Sequence, residues 1–379
     1  MSRSRELKEL AVLFLVLGIF GFGGPPAHLA MFELEVVKKR KWLTSEQFLE
    51  LIGAANLVPG PNSTEVAFAI GLQRAGAAGM LVAGVCFILP AALITGLLAA
   101  AYVSYGSLPA LAPFLAGTKA AVIGIILGTA GLLAPTATKT LGLAFLGIAA
   151  LVANSFWVSE APVLIGAGVI ACAGSKAIKP AGASALLLSA KAWAAGSGAV
   201  AAGVSLGALF LFFLQVGATI YGGGFVLASY LQTGLVDNLH WLTQAQLLDA
   251  VTVGQVTPGP VFSTATFVGY LIGGTPGAVV ATIAIFLPCV LLVPLLHRLL
   301  KWTRSHPLAA RFLDGVNVAA VALIVAVALK LGPSSLTNLP AIFLAMAAAV
   351  ATLKRLNAGV VALSAGLLMS VLSLLFGLS

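Results

Sequence analysis

The stretch Trp42-Leu43-Thr44-Ser45-Glu46-Gln47, followed by Pro59-Gly60-Pro61, decides how this chain is built. It returns 199 residues later as Trp241-Leu242-Thr243-Gln244-Ala245-Gln246 and Pro258-Gly259-Pro260, and Gly23-Gly24 returns at the same offset as Gly222-Gly223. A tripeptide, a dipeptide and a Trp-Leu-Thr-x-x-Gln string at one spacing mark an internal duplication. The expected organisation is residues 1–180 as a first repeat, 181–206 as a linker and 207–379 as a second repeat.

Composition puts both repeats in lipid. Mean hydropathy is +1.10, 60% of residues are hydrophobic and only 8% are charged, against about 25% charged in soluble domains. Apolar runs occupy 76–98, 114–134, 278–296, 312–327 and 359–376. Several reach the roughly 20 residues needed to cross about 30 Å of hydrocarbon. The chain reads as an all-α, polytopic integral membrane protein, with the lipid bilayer as an obligatory partner. The run 10–22 follows Arg3, Arg5 and Lys8, as a signal peptide would. It leads into Gly-Gly-Pro-Pro rather than a small-residue cleavage site, and its repeat partner lies mid-chain, so it is expected to be mature structure.

Several function classes drop out. Cys86, Cys172 and Cys289 are far apart in apolar runs and lack metal-ligand spacing. No phosphate-binding glycine motif and no Cys/His cluster occurs, so neither cofactor nor metal is expected. An enzyme would need a paired-acid, metal or nucleophile–base constellation, and none is present. The formal charge of +9 is read as membrane topology, not as a nucleic-acid-binding surface.

Lys and Arg collect in cytoplasmic loops. Lys38-Lys39-Arg40-Lys41 corresponds to Asp237-Asn238-Leu239-His240, which has no Lys or Arg. Arg298, Lys301, Arg304 and Arg311 fill a loop whose first-repeat counterpart, 102–113, is uncharged. Lys139 faces the uncharged loop 334–338, Lys354-Arg355 face Phe156-Trp157, and Lys176 and Lys179 face the uncharged C-terminal tail. Only one member of each pair is basic. The two repeats are therefore expected to cross the membrane in opposite directions, an inverted-topology duplication of the kind found in secondary transporters. The linker must then supply an odd number of crossings.

Thr44-x-x-Gln47 and Thr243-x-x-Gln246 have the capping-box form, so a helix starts at each Thr, with Trp42 and Trp241 at headgroup level. Fourteen residues on, about 21 Å at 1.5 Å per residue, each helix meets Pro-Gly-Pro near the bilayer centre and must break. The basic loop 38–41 and the neutral loop 102–113 lie on opposite faces, so one of the two apolar segments between them must turn back. The expectation is a re-entrant hairpin over 44–72, tipped by Pro59-Gly60-Pro61, and a twin over 243–271 entering from the other face. The glycine blocks break two further short helices. Irregular backbone at membrane depth is tolerated only when buried in protein or lining a cavity, so the four breaks are expected to converge at the midplane.

A helix restarts after each tip, at Asn62-Ser63-Thr64 and at Val261-Phe262-Ser263-Thr264. Helix N-termini present free amides and about half a positive charge, and hydroxyls add donors. The expected ligand is a small tetrahedral oxyanion. The candidate binding set is Gly23, Gly24, Pro59, Gly60, Pro61, Asn62, Ser63, Thr64, Tyr221, Gly222, Gly223, Pro258, Gly259, Pro260, Ser263 and Thr264. The bland alternative is that the breaks are only kinks and the hydroxyls bond the backbone. Ionisable groups inside apolar segments are candidates for coupling or gating. They are Glu50 and Asp249, which occupy equivalent positions and would exchange protons, Glu65 just after the first tip, Lys119 as a counter-charge, and His28, which has only Leu227 opposite it.

The blocks Gly-Phe-Gly-Gly-Pro-Pro-Ala-His (21–28), Pro-Gly-Pro-Asn-Ser (59–63), Tyr-Gly-Gly-Gly (221–224) and Thr-Pro-Gly-Pro-Val (257–261) are similar to those of the chromate ion transporter family. The long two-domain members of prokaryotic inner membranes are the ones this chain resembles, over nearly its whole length. The resemblance implies export of chromate from the cytoplasm, driven by the membrane potential or the proton gradient, and hence chromate resistance. The second repeat lacks the Pro-Pro-x-His portion of the first block. The residues alone reach a small-anion transporter. A sulfate-type carrier and an anion channel with the same half-helices stay open as alternatives.

Overall fold

The computed structural model describes residues 3–56, 58–106, 108, 111–156, 158–173, 204–221, 223–303 and 307–376. Most of the linker 181–206 falls outside these residues, as do Gly222, Trp157, Lys176, Lys179 and Arg304. Among the described residues there are fourteen helices and no strand. The first repeat comprises α1 (Arg3–Phe20), α2 (Gly24–Phe32), α3 (Ser45–Ala55), α4 (Asn62–Tyr105), α5 (Ala112–Ala137), α6 (Leu141–Phe156) and α7 (Glu160–Ala173). The second follows the same order: α8 (Leu206–Thr219), α9 (Gly224–Leu231), α10 (Gln244–Val256), α11 (Thr264–Thr303), α12 (Pro307–Ser335), α13 (Leu339–Leu353) and α14 (Ala358–Phe376). Even the irregularities are duplicated, because α2 and α9 each run on into a wider π-helical turn, Glu33–Lys39 and Gln232–Asn238.

The protein is an all-α, multi-pass membrane protein. Among the described residues, five helical runs are long and apolar enough to cross a bilayer. On α4, Leu81, Val85, Leu89, Leu93 and Leu97 are all exposed at four-residue spacing, which makes one continuous lipid-facing stripe on a helix. The opposite face packs inward through Ala83, Phe87 and Ala91.

The re-entrant hairpins are present. α3 starts at a complete capping box: Thr44 Oγ1 accepts from the Gln47 amide and Gln47 Oε1 from the Thr44 amide. Its 11 residues rise about 16 Å, roughly half the hydrocarbon thickness. After the Pro-Gly-Pro tip, the first limb of α4 runs back to the face it came from. Arg74, at the end of that limb, stacks 4.8 Å from the ring centroid of Trp42, at the hairpin's entrance. Arg74 also pairs with Glu9 on α1 at 3.3 Å.

The reversal lies at Ala75-Gly76, where Gly76 takes φ 67°, three residues beyond the expected limit of the hairpin. Gly71 then packs on Gly79 and Phe68 on Gly84. Eight residues along a straight helix would hold the first pair about 12 Å apart, so α4 is a short limb folded against a long one. α11 repeats this at Gly273-Gly274, with Thr266 and Thr282 hydroxyls 2.7 Å apart across the fold.

The inversion is visible in one ion pair. Lys139, just past the C-terminus of α5, binds Asp314 near the N-terminus of α12 at 2.6 Å. α5 and α12 are equivalent helices, so in repeats of like orientation those two positions would lie at opposite membrane faces. The repeats also interlock. Gly117 of α5 lies against Ala365 of α14, and its twin Gly315 of α12 against Ala167 of α7. Gly366 meets Phe114, and its twin Gly168 meets Phe312. Each repeat's long central crossing is thus clasped by the last helices of the other.

This arrangement predicts that a membrane-impermeant maleimide labels Arg40→Cys and Asn238→Cys from opposite sides of the membrane. Labelling of both from one side would remove the inverted architecture.

Candidate functional site

Pro-Gly-Pro carries one amide donor among three residues, because proline nitrogens have no hydrogen. A buried donor must find an acceptor. The Gly60 amide donates to the Ile220 carbonyl at 2.8 Å, and the Gly259 amide donates to the Gly21 carbonyl at 2.8 Å. Ile220 and Gly21 are themselves equivalent. Each sits where a broken helix ends, α8 and α1, and so offers a carbonyl with no helical partner. Each hairpin tip is therefore bonded to the glycine break of the opposite repeat, and the four breaks are joined in pairs across the repeat boundary.

The tips are closely packed. Gly259 has φ +82°, and a Cβ there would lie 2.8 Å from the Ala91 Cβ and 3.2 Å from the Gly18 carbonyl. Gly60, at φ +148°, is in contact with the Glu65 carboxyl and faces the Cys289 thiol of α11. Gly23, Gly24 and Gly223 also take positive φ at their breaks. Gly222 is outside the described residues. Pro61, Pro258 and Pro260 are buried, whereas Pro59, Asn62 and Tyr221 are partly open. The Asn62 side-chain amide closes the first tip onto Asn56 Oδ1 at 2.6 Å.

The four hydroxyls behave differently from one another. Thr264 donates to the Val261 carbonyl at 2.7 Å, which is the backbone-bonded alternative. Ser263 accepts from Thr95 of the α4 long limb at 3.2 Å, which leaves its own hydrogen to point elsewhere. Ser63 lies 3.1 Å from His28 Nδ1. Thr64, the equivalent of Ser263, is fully buried and its hydroxyl has no partner. Both carboxyl oxygens of Glu65 are likewise buried without a hydrogen-bond partner. Two unengaged hydroxyl hydrogens, one per repeat, thus sit in the first turns of the two restarted helices.

The matches to known proteins bear on what this site serves. The sequence profile of the chromate transporter family fits residues 8–173 and again 207–371, one match per repeat. The chain belongs to the chromate transporter family. It is 34% identical over 370 residues to the probable chromate transport protein of Synechococcus elongatus, covering 92% of this chain and 90% of that one. The chromate transport protein of Cupriavidus metallidurans is 33% identical over 354 residues, 92% of this chain and 88% of the relative. That of Pseudomonas aeruginosa is 30% identical over 378 residues, 95% and 91%. These relatives are named as transport proteins, which points to a transporter rather than an enzyme. No solved structure matches the chain.

Within this chromate transporter, the two equivalent acids have different surroundings. Asp249 on α10 is buried, with Lys119 of α5 at 2.9 Å on one oxygen and the Tyr102 hydroxyl at 2.8 Å on the other. Glu50 on α3 is only partly buried. Lys119 is thus already matched by a carboxylate from the other repeat. Glu160 of α7 was not among the residues singled out from sequence. It is buried and accepts from Ser229 and Thr233, at 2.9 and 2.7 Å, and from Asn154. A lone acid at the start of an apolar helix was its only signal. Thr95 was missed because a single threonine inside a long apolar helix carries no signal, and the Gly21 and Ile220 carbonyls have none at all. An open recess of about 400 Å³ between α13 and α14 is lined by Leu339, Phe343 and Leu368. It has no polar group to hold an anion and belongs to the lipid face.

Two outcomes follow from these contacts. Gly259→Val forces a branched side chain onto positive φ and into Ala91, a strain of about 1–3 kcal/mol before the clash. Transport should fall about tenfold if about 1.4 kcal/mol of that strain is carried into the transport barrier, with membrane insertion retained; wild-type flux would remove the tips from the site. Lys119→Met leaves Asp249 buried and unpaired, which should destabilise the protein by about 3–5 kcal/mol. Adding Asp249→Asn should restore most of the melting temperature, and a double variant as unstable as the single one would show that the pair is not what matters.

Proposed function

We propose that the chain is a secondary active transporter of a small tetrahedral oxyanion, and that its physiological task is chromate efflux across the prokaryotic inner membrane. The observation that carries this reading is the reciprocal bonding of each Pro-Gly-Pro tip to the opposite repeat's broken helix. It draws two helix N-termini into the protein interior together with the hydroxyls of Thr64 and Ser263. Amide dipoles and hydroxyls stabilise a dianion without a fixed cation that would hold it permanently, as a carrier requires. In this reading Gly23, Gly24, Tyr221 and Gly223 wall the site, and Asn62 and Ser63 complete the first tip. The names of the relatives support chromate as the substrate.

The two repeats, 1–180 and 207–379, rock against each other about the bonded tips. Opposite orientation gives the two sides of the site equivalent walls, the usual basis of alternating access. A dianion leaving a negative interior gains about 2.3 kcal/mol per charge per 100 mV, or about 4.6 kcal/mol in all. The membrane potential alone therefore drives export. Glu65 ionised beside the tip would oppose the dianion, so it is expected to be neutral whenever the site is loaded, which links protons to the cycle.

Inverted membrane vesicles holding the protein should accumulate labelled chromate when energised, in a saturable manner. Sulfate should compete more weakly than unlabelled chromate. Absent uptake defeats the reading; stronger competition by sulfate would make chromate incidental; flux that never saturates would indicate a channel.

A further inference from the structure

The first repeat holds one buried histidine whose two ring nitrogens are both engaged, and its partners assign the protons. His28 Nε2 lies 2.9 Å from the Gly21 carbonyl, which can only accept, so Nε2 carries a hydrogen. Neutral His28 then presents a bare Nδ1, and Ser63, 3.1 Å away, must donate to it. In that state the Ser63 hydrogen points at the ring and is withheld from anything on its other side. A proton on Nδ1 reverses the bond: the ring donates, Ser63 accepts, and the hydroxyl hydrogen is released.

Resting on the oxyanion reading above, we infer that His28 and Ser63 form a proton-operated donor switch, in which protonation of the ring turns the Ser63 hydroxyl from the histidine toward the bound oxyanion. Three observations support it. Both residues are buried, His28 at 1% and Ser63 at 2% exposure, so bulk water does not supply the missing partner. Ser63 precedes Thr64, whose buried hydroxyl is unengaged, in the first turn of α4. Lastly, the pair is absent as a pair from the second repeat, where Leu227 stands for His28 and Phe262 for Ser63. Replacing only one of the two would leave the other buried without this partner, and the second repeat replaces both. The Gly21 carbonyl accepts from both His28 and the Gly259 amide, so the switch sits on the same atom that anchors the opposite tip.

The other groups around the ring are mostly neutral. Phe87 of α4 meets it edge-on at 5.2 Å and Phe32 stacks at 6.5 Å. Glu65, two residues beyond Ser63, is a buried acid with Tyr221 and Cys289 beside it. Cys86 adjoins Phe87. Glu33 and Glu35, on the continuation of α2, are paired with Lys38, Lys39 and Arg40. Because the anion and the ring proton favour each other, affinity must rise as pH falls and the ring takes up its proton.

The test is equilibrium binding of chromate to the purified full-length protein from about pH 5.5 to about pH 8, comparing wild type with His28→Gln and Ser63→Ala. Glutamine can donate to Gly21 and accept from Ser63, so it imitates the neutral ring at every pH. Chromate's own protonation is common to all three proteins and cancels in the affinity ratios. The wild-type to His28→Gln ratio should grow as pH falls, by up to about tenfold per pH unit for one linked proton. Ser63→Ala should show the same loss of pH dependence. A ratio that stays constant with pH, or a Ser63→Ala protein that keeps the wild-type profile, overturns the switch. Wild type that binds neither chromate nor sulfate at any pH instead overturns the oxyanion reading beneath it.

Discussion

One amide hydrogen per hairpin tip organises the centre of this protein. Pro-Gly-Pro at membrane depth has a single N–H, and hydrocarbon supplies no acceptor for it. An unmet donor there would cost several kcal/mol. A broken helix ending nearby has the opposite need, a carbonyl without a donor. The Gly60–Ile220 and Gly259–Gly21 bonds satisfy both at once, and both run between repeats. The breaks that look like defects in each half are therefore the means by which the halves recognise each other.

On this nearly symmetric frame the chemistry is not symmetric. The capping boxes, folded long helices and clasped crossings repeat almost element for element. The polar groups do not. His28 and Ser63 are replaced by Leu227 and Phe262, Glu65 by Thr264, and the acid at Asp249 is matched by Lys119 while Glu50 has other surroundings. Backbone architecture follows from the duplication because membrane crossing constrains both copies alike. Side chains beside the tips are not under that constraint, and the two copies differ there.

Inversion gives this asymmetry a direction. With α5 and α12 antiparallel, as the Lys139–Asp314 pair requires, groups unique to the first repeat approach the centre from one membrane face. His28, Ser63 and Glu65 are among them, whereas the two Pro-Gly-Pro tips reach the centre from both faces.

Much of this was legible in the residues. Hydropathy and basic-loop placement determined an all-α chain of two inverted repeats, because both are set by the solvent each segment meets. The capping boxes at Thr44 and Thr243 and the breaks at Pro-Gly-Pro were readable because their causes are local: a side chain reaching a neighbouring amide, and a ring that removes a donor. Only the reversal point was displaced, since Gly76 and Gly274 turn the chain and glycine is too common in this sequence to single them out. The tertiary structure alone decided which carbonyl meets which amide, that Ser63 faces His28 while Thr64 faces no partner, and that Lys119 answers Asp249 from the other repeat. Those pairings join residues far apart in the chain through backbone atoms or rotamers, and no spacing along the sequence encodes them.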